Sequence, residues 1–166
     1  VSRFVEPFDA DKKDRILAYT DPTKPVKFEA GGQGLTSTVM DYARFAHMLL
    51  NRGSLDGVRI VGKKTVELMT TDQVGPGIDR GPFYLPGQSH GYGLLGAVRT
   101  DGPRAPTALN PMDGSVGEYY WAGYAGTYFW VDPKEELVGV YMMQSVQHLL
   151  WYASTFKSLV VQSVVE

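Results

Sequence analysis

The clearest hydrophobic pattern in the chain lies between residues 38 and 53. Apolar side chains recur there at helical spacing, Ser37 and Thr38 precede them as candidate N-caps, and Gly53 follows as a stop signal. The pattern predicts a helix. Its apolar side chains are Val39, Tyr42, Phe45, Ala46, Leu49 and Leu50.

A tight turn and a second helix are predicted directly after the first helix. Asp56-Gly57 suits a two-residue turn, and the short apolar stretch from Val58 to Val61 is typical of a strand. We expect the second helix around Lys63 to Met69.

The second half of the chain is richer in strand patterns. Strands are predicted at Tyr92 to Val98, Val116 to Trp121, Gly126 to Val131 and Leu137 to Met143, with a hairpin turn at Asp132 to Glu136. Phe129 and Val131 should point to one face, with Tyr128 and Trp130 on the other. Because both faces carry large apolar groups, we expect the sheet to be covered on both sides.

A last helix is predicted from His148 to Val165. Its apolar side chains share about 120° of the helical wheel, and the preceding antiparallel sheet is the nearest surface on which they can pack. These side chains are Leu149, Tyr152, Ala153, Phe156, Val160 and Val164.

Three stretches lack a regular pattern. Val1 to Tyr19 is predicted to be irregular with a short helix, and Asp101 to Asp113 is a loop. Gln73 to Gly91 is rich in glycine and proline, which predicts a long loop. Loops of this length in compact domains are often functional, so this one is a candidate pocket wall.

Composition narrows the class of protein. The 166 residues are 43% hydrophobic and 20% charged, as in a globular domain, and the net charge of −2 does not favour nucleic acid as a partner. No apolar run approaches the roughly 20 residues of a membrane span, and no signal peptide is recognisable at Val1. Cysteine is absent, which leaves cytoplasm and periplasm both open. Since the first residue is not Met, we expect a processed, cleaved or excised polypeptide.

Neither a metal site nor a phosphate loop is indicated. His47, His90 and His148 are scattered without ligand spacing, and His47 is interpreted as a partly buried, hydrogen-bonded residue. The stretch Gly31 to Gly34 does not follow a strand and lacks a closing Lys-Ser/Thr pair, so a plain turn is favoured. No cofactor is expected.

Ser154-Thr155-Phe156-Lys157 matches the Ser-x-x-Lys pattern of a nucleophilic serine beside a basic lysine. On the helical wheel, however, Ser154 lies away from the apolar side and should face solvent. We therefore do not interpret Ser154 as the nucleophile.

Three colinear segments resemble the C-terminal half of serine hydrolases of the β-lactamase and penicillin-binding-protein superfamily. They are Phe28 to Phe45 with its Gly-Gly-Gln-Gly stretch, Leu55 to Met69, and the segment Tyr120-Trp121-Ala122-Gly123-Tyr124-Ala125-Gly126-Thr127-Tyr128-Phe129-Trp130-Val131-Asp132-Pro133. The likeness is greatest to the esterase branch, the class C β-lactamase-like family VIII esterases.

The resemblance implies that Trp121-Ala122-Gly123 is the family's third active-site motif, on an edge strand that faces the nucleophile. Small residues at Ala122 and Gly123 would let a substrate carbonyl approach the backbone, and the amide of Tyr124 would donate to an oxyanion. From strand periodicity alone, Trp121 could equally be a core aromatic residue.

Tryptophan at position 121 replaces the lysine of many β-lactamases. A lysine can pair with a substrate carboxylate, whereas an indole offers one N–H donor and an apolar face, so a neutral ester or amide substrate is favoured over a β-lactam. Arg99 or Arg104 could supply an alternative anion site.

The family's Ser-x-x-Lys and Tyr-x-Asn motifs precede this region and have no equivalent here in the expected order. The resemblance therefore implies an α+β fold, the α/β lobe of the β-lactamase type, with the helical lobe largely absent. Residues 1–90 would supply helices and loops, and residues 91–166 antiparallel strands and the C-terminal helix. The N-terminal part of the same protein is the expected partner, and a homo-oligomer stays open.

Three functions follow as alternatives. The first is the C-terminal portion of a serine carboxylesterase or acyl transferase whose nucleophile lies outside the chain, so that the chain alone is inactive. The second is a non-catalytic ligand-binding or structural domain of the same fold. The third is a β-lactamase or D-alanyl-D-alanine carboxypeptidase.

Overall fold

The computed structural model describes residues 8–9, 14–15, 24–25, 27–28, 30–32, 34–81, 84–87, 89–100, 114–146 and 149–164. The helices in these residues are α1 (Val39–Leu50), α2 (Lys63–Thr70) and α3 (Leu149–Gln162). The strands are β1 (Phe8–Asp9), β2 (Asp14–Arg15), β3 (Ser54–Leu55), β4 (Val58–Arg59), β5 (His90–Tyr92), β6 (Ala97–Arg99), β7 (Tyr119–Ala122), β8 (Tyr128–Asp132) and β9 (Leu137–Tyr141).

The main sheet is an antiparallel meander. Its five strands follow one another in chain order from β5 to β9, each paired with the next. Two further pairs, β1 with β2 and β3 with β4, lie outside this sheet. Antiparallel strands and separate helices make the fold α+β, as the sequence predicted.

Both faces of the sheet are covered, which confirms the expectation from the alternating large side chains. The face toward α1 and α2, the α1 face, packs Phe129 and Val131 with Ala46, Leu49 and Val66. The opposite face, the α3 face, packs Tyr120, Tyr128 and Trp130 with Ala153. Three layers result, with the sheet in the middle.

Helix α1 begins and ends at sequence signals. The Thr38 hydroxyl accepts a hydrogen bond from the Asp41 amide at 3.2 Å, as an N-cap does. At the other end Gly53 N–H donates to the Met48 carbonyl at 2.8 Å and Arg52 N–H to Leu49 at 2.9 Å, the two bonds of a Schellman motif. Arg52, with φ 52°, rather than the predicted Gly53, therefore occupies the first position beyond the C-cap.

The predicted Asp56-Gly57 turn is present. Both residues have positive φ, 50° and 79°, which is the geometry of a type I′ hairpin turn. It joins β3 to β4, and β4 is shorter than predicted, ending at Arg59.

The strand predicted from Tyr92 to Val98 is wrong, because the chain reverses inside it. β5 ends at Tyr92, Gly93 N–H donates to the Gly96 carbonyl at 2.8 Å, and β6 begins at Ala97. Both glycines are required by close contacts: an added Cβ would lie 2.4 Å from the Met69 carbonyl oxygen at Gly93 and 2.6 Å from that of Tyr120 at Gly96. Apolar continuity across Leu94 and Leu95 concealed the turn.

Further predictions concerned His47, the loop after Gln73, helix α3 and the stretches without a regular pattern. His47 is exposed on α1, so its interpretation as a partly buried residue is wrong. The predicted loop from Gln73 is confirmed for the described residues up to Ser89. Helix α3 packs on the sheet, as expected. In the stretch Val1 to Tyr19, which was predicted to be irregular with a short helix, residues 8–9 and 14–15 form the strand pair β1 and β2. The rest of that stretch, the loop Asp101 to Asp113 and His148 lie outside the described residues. Within the described ranges, no helix has the length and apolarity of a membrane span.

Candidate active site

The residues predicted to form the third motif lie where β7 ends and turns into β8. Trp121 and Ala122 pair with Phe129 and Tyr128, and Gly123 N–H donates to the Thr127 carbonyl at 2.7 Å. Gly126 N–H donates back to the Gly123 carbonyl at 3.0 Å, which closes a tight turn. Gly126, with φ 95°, supplies the left-handed residue that a three-residue hairpin loop needs.

Tyr124 occupies the first corner of this turn. The hydrogen bond of a β-turn joins the carbonyl of its first residue to the N–H of its fourth, so it does not use the amide of the second. Tyr124 is that second residue, and its side chain is 64% exposed. The predicted oxyanion donor therefore lies at the exposed tip of the β7–β8 hairpin.

Trp121 is half-buried and borders both layers of the core. It packs against the α1-face cluster and against the α3-face cluster, and its ring meets the Tyr92 ring edge-on at 5.0 Å and 87°. The indole is neither sealed inside the protein nor fully exposed. This position is compatible with a site wall that is also part of the packing.

The structure gives a further reason for the small size of Gly123. A Cβ at Gly123 would lie 2.2 Å from Thr127 Oγ1, so the adjacent hydroxyl group leaves no room for a larger side chain. Glycine at this position is required by the hairpin itself.

The expectation of an edge strand is also wrong. β7 is the third of five strands, because β5 and β6 extend the sheet beyond it. The ladder to β6 covers only Tyr119 and Tyr120, whereas the ladder to β8 continues to Ala122. Tyr119 and Tyr120 are therefore paired with a strand on each side, whereas Trp121 and Ala122, the last two residues of β7, are paired with β8 alone.

The loop after α2 is held by a charged residue. The Asp72 carboxylate accepts hydrogen bonds from the amides of Val74 at 2.9 Å and Gly75 at 3.2 Å, and it lies 3.5 Å from the Arg80 guanidinium. The two charged side chains are 16% and 10% exposed, so this pair is shielded from solvent. The predicted pocket wall is thus an ordered loop where it leaves the helix.

A buried charge cluster, formed by His90, Arg99, Glu118 and Lys157, lies between the sheet and α3. Lys157 Nζ donates to both Glu118 carboxylate oxygens at 2.7 Å, and Arg99 Nη2 lies 3.9 Å from Glu118. Burial lowers the pKa of Lys157 and Glu118 partly offsets that effect. For His90, burial together with the charges of Arg99 and Lys157 lowers the pKa from 6.5 to about 4.

The cluster settles two expectations from the sequence. Arg99 is 5% exposed and belongs to this interior cluster, so the structure does not present it as an anion site beside Trp121; Arg104 lies outside the described residues. Ser154 is partly exposed and donates to the Trp151 carbonyl at 2.9 Å, while Lys157 binds Glu118. In this Ser-x-x-Lys sequence, Lys157 links α3 to the sheet through Glu118, so the pattern has a structural role.

Side chains that bind metals do not converge in the part of the chain that the structure describes. No group of three or more His, Cys, Asp or Glu residues there has the arrangement of an ion site. Asp132, which is 3% exposed, instead accepts hydrogen bonds from the amides of Ser115, Lys134 and Glu135. Its carboxylate stabilises the predicted turn between β8 and β9.

Comparison with known proteins identifies a family. The family model described as Beta-lactamase matches residues 4–150. Protein Rv1367c of Mycobacterium tuberculosis is 35% identical over 143 residues, which are 81% of this chain and 34% of that protein. A second Mycobacterium tuberculosis protein, from strain CDC 1551, has the same identity and coverage. The chain therefore spans about a third of the length of these relatives.

Solved structures show the same fold. Simvastatin synthase (LovD) from Aspergillus terreus superposes with a TM-score of 0.69 at 19% identity, covering 99% of this chain and 43% of that one. EstCE1, described as a hydrolase with promiscuous acyltransferase activity, superposes with a TM-score of 0.53 at 22% identity over 70% of this chain and 27% of its own. At these identities the likeness is one of fold.

Proposed function

This chain belongs to the beta-lactamase family, and we propose that it is the C-terminal portion of a serine carboxylesterase or acyl transferase. In this proposal the nucleophilic serine lies outside residues 1–166, and the chain supplies one wall of the site. The coverage of only 34% of the Mycobacterium tuberculosis relatives supports the view that a complete protein contains more than this chain. Alone, the chain would be inactive, since an acyl-enzyme needs the serine.

The observation that carries the proposal is the β7–β8 hairpin. It places the amide of Tyr124 at a turn corner, three residues after a half-buried indole, within the family fold. A backbone N–H fixed by a hairpin is a rigid donor for an oxygen that becomes negative, and such donors stabilise acyl-transfer transition states. The amide of the serine would supply the second donor.

The chemistry has two half-reactions. The serine oxygen adds to the ester carbonyl, the carbonyl oxygen takes the negative charge beside the Tyr124 amide, and the alcohol leaves with a proton as the acyl-enzyme forms. Water or a second alcohol then takes the acyl group and restores the serine. Because Trp121 presents an apolar face, a neutral ester is favoured over a substrate with a carboxylate.

Labelling of the complete protein with a fluorophosphonate probe tests the location of the nucleophile. We expect one phosphonylated serine, located by peptide mass spectrometry outside residues 1–166. Label on Ser154 would contradict the proposal, and an unlabelled protein without esterase activity would favour a binding domain. Hydrolysis of nitrocefin faster than of simple esters would favour a β-lactamase.

Replacing Tyr124 with proline tests the oxyanion donor. Proline removes the N–H while its fixed φ suits the first corner of a turn, whose own hydrogen bond uses Gly123 and Gly126. We expect Tyr124→Pro to lower kcat of the complete protein about a hundredfold with a nearly unchanged Tm.

The matched control is Tyr124→Ala, which removes the phenol and keeps the N–H. It should stay within a few-fold of the wild-type kcat. Equal losses in the two variants would show that the side chain matters and that the amide does not donate to the oxyanion.

A further inference from the structure

Tyr92 and Trp121 form an edge-to-face aromatic pair at the end of the sheet. Their ring centroids are 5.0 Å apart with an interplanar angle of 87°, and both side chains are half-buried. Edge-to-face packing of this kind favours one orientation of each ring. The Tyr92 ring is therefore a fixed neighbour of the Trp121 indole.

The turn after Tyr92 brings its backbone against the strand that carries Trp121. Gly96 lies so close to β7 that a Cβ there would be 3.1 Å from the Trp121 Cβ. Leu94, at the tip of this turn, is 65% exposed. The turn that follows Tyr92 therefore carries an exposed apolar side chain.

The backbone of Tyr92 is held on both sides. Its N–H donates to Asp72 Oδ1 at 3.0 Å and its carbonyl accepts from Gln73 N–H at 2.9 Å, while the sheet pairs it with Ala97. Gly91 leaves room for the carboxylate, since a Cβ there would lie 2.1 Å from Asp72 Cγ. The position of Tyr92 is consequently fixed by the loop that follows α2.

Asp72 is itself fixed by charge and by backbone donors. It accepts from the Val74 and Gly75 amides and pairs with Arg80, and Arg80 donates to the Gly75 carbonyl at 3.2 Å. A shielded carboxylate with several donors keeps one geometry, because every alternative leaves a buried charge unsatisfied. The loop after α2 thus holds Tyr92 in place, and Tyr92 in turn contacts Trp121.

From this arrangement we infer that Tyr92 is a specificity-determining residue of the proposed ester site: with Trp121 it binds an uncharged, apolar group of the substrate, and Asp72 is the positioning residue that sets its place. The inference rests on the proposed function. A phenol is neutral near pH 7, and burial raises the pKa of the Tyr92 phenol further above that pH.

The apolar group could belong to the acyl or to the alcohol part of the ester, and two substrate series distinguish these sources. One series varies the acyl chain in p-nitrophenyl acetate, butanoate and octanoate, and the other varies the alcohol in phenyl and naphthyl acetates. The complete protein is compared with its Tyr92→Ala, Tyr92→Trp and Tyr92→Phe variants, and kcat and KM are measured separately.

In one of the two series, Tyr92→Ala should shift the ratio of kcat/KM between the largest and smallest group by roughly tenfold toward the small group, mainly through KM, because the ring that binds the large apolar group is lost. Tyr92→Trp should shift the same ratio the opposite way, and Tyr92→Phe, which keeps the ring, should leave it unchanged. Asp72→Ala should shift the ratio in part, and Asp72→Asn should shift it less, since one amide oxygen can still accept from Tyr92 although the charge pair with Arg80 is lost.

The inference is overturned if the ratios of both series stay constant in Tyr92→Ala and Tyr92→Trp while the variants remain folded by near-UV circular dichroism. Should Tyr92→Ala fail to fold, Tyr92→Trp alone decides. Failure of the proposed function would look different, because the wild-type protein itself would then neither react with a fluorophosphonate nor hydrolyse any ester in the two series.

Discussion

His90 is a buried histidine whose pKa is affected by two positively charged side chains. Its Nδ1 lies 3.2 Å from the Ser89 hydroxyl and its ring meets Tyr120 edge-on, while Arg99 and Lys157 are the charged groups that affect it. Both charges are positive, so protonation of His90 in the folded state is opposed by burial and by repulsion. The residue should therefore make the stability of the protein depend on pH.

We expect the free energy of unfolding to decrease as the pH falls from about 6.5 to about 4. The folded pKa is about 4 and the ordinary value 6.5, so in this window the unfolded chain binds a proton that the folded chain does not. At pH 4 the loss from His90 would approach about 3 kcal/mol. Urea unfolding at several pH values from about 7 to about 4.5 measures this decrease in the free energy of unfolding.

The comparison of two variants isolates this contribution. His90→Gln removes the titrating group from the interior and should flatten the decline below pH 6.5, roughly the unfolded pKa. His47→Gln removes an exposed histidine from α1 and should leave the decline as it is. An identical slope in wild type and His90→Gln would assign the pH dependence to other groups.

At the scale of elements, the N-terminus of α1 is fixed by one hydroxyl group. Thr38 accepts from the Asp41 amide and donates to the Asp41 carboxylate at 2.9 Å. Removal of such a cap costs about 1 kcal/mol, because an amide of the first turn loses its partner. Since α1 covers β8 and β9, its stability contributes to that of the sheet.

Thr38→Ala should therefore lower the free energy of unfolding by about 1 kcal/mol. Thr38→Ser keeps the hydroxyl and should lose less than half as much. Chemical denaturation at pH 7 gives both values, and equal losses would mean that the methyl group of Thr38, and not its hydroxyl, is important.

The elements differ in how far the sequence predicted them. α1, the Asp56-Gly57 turn, α2 and the three strands β7 to β9 depend on neighbouring residues, so spacing and turn residues were enough. The hairpin inside Tyr92 to Val98 was missed because Gly93 and Gly96 are there to accommodate Met69 and Tyr120, which are distant in sequence. Local patterns do not report such contacts.

The residues of the candidate site were likewise predicted only in part. The resemblance placed Trp121, Ala122 and Gly123 along an edge strand; the structure has Trp121 and Ala122 at the end of β7, an inner strand, and Tyr124 in the turn that follows. Their roles stay predictions. Tyr92 and Asp72 were missed, since an aromatic residue in a strand and an aspartate after a helix have no distinctive spacing. Only the contact of Tyr92 with Trp121 and with Asp72 makes them candidates.

At the scale of the whole molecule, several apolar surfaces are open. β9 is the last strand of the sheet, with β8 as its neighbour within the described residues. On the outer side of α3, Trp151 and Leu159 are each 62% exposed, and Met40 on α1 is 72% exposed. Open strand edges and exposed apolar groups favour association.

We therefore expect the 166-residue chain, expressed by itself, to dimerise or aggregate, and to become monodisperse when the N-terminal part of the same protein is added. Analytical ultracentrifugation measures both states. Trp151→Glu with Leu159→Glu should reduce self-association more than the control Thr155→Glu on the same helix. A monomeric chain that melts cooperatively would contradict this prediction.

The link between Glu118 and Lys157 limits how α3 can sit on the sheet. A helix whose contact surface is apolar, here Ala153, Phe156 and Val160, could slide along the strands at little cost, because one methyl group replaces another. A displacement by one turn, about 5.4 Å, would take the Lys157 ammonium group away from Glu118 and break both of its hydrogen bonds to the buried carboxylate. The pair thus selects a single alignment of the helix among several that hydrophobic packing alone would tolerate.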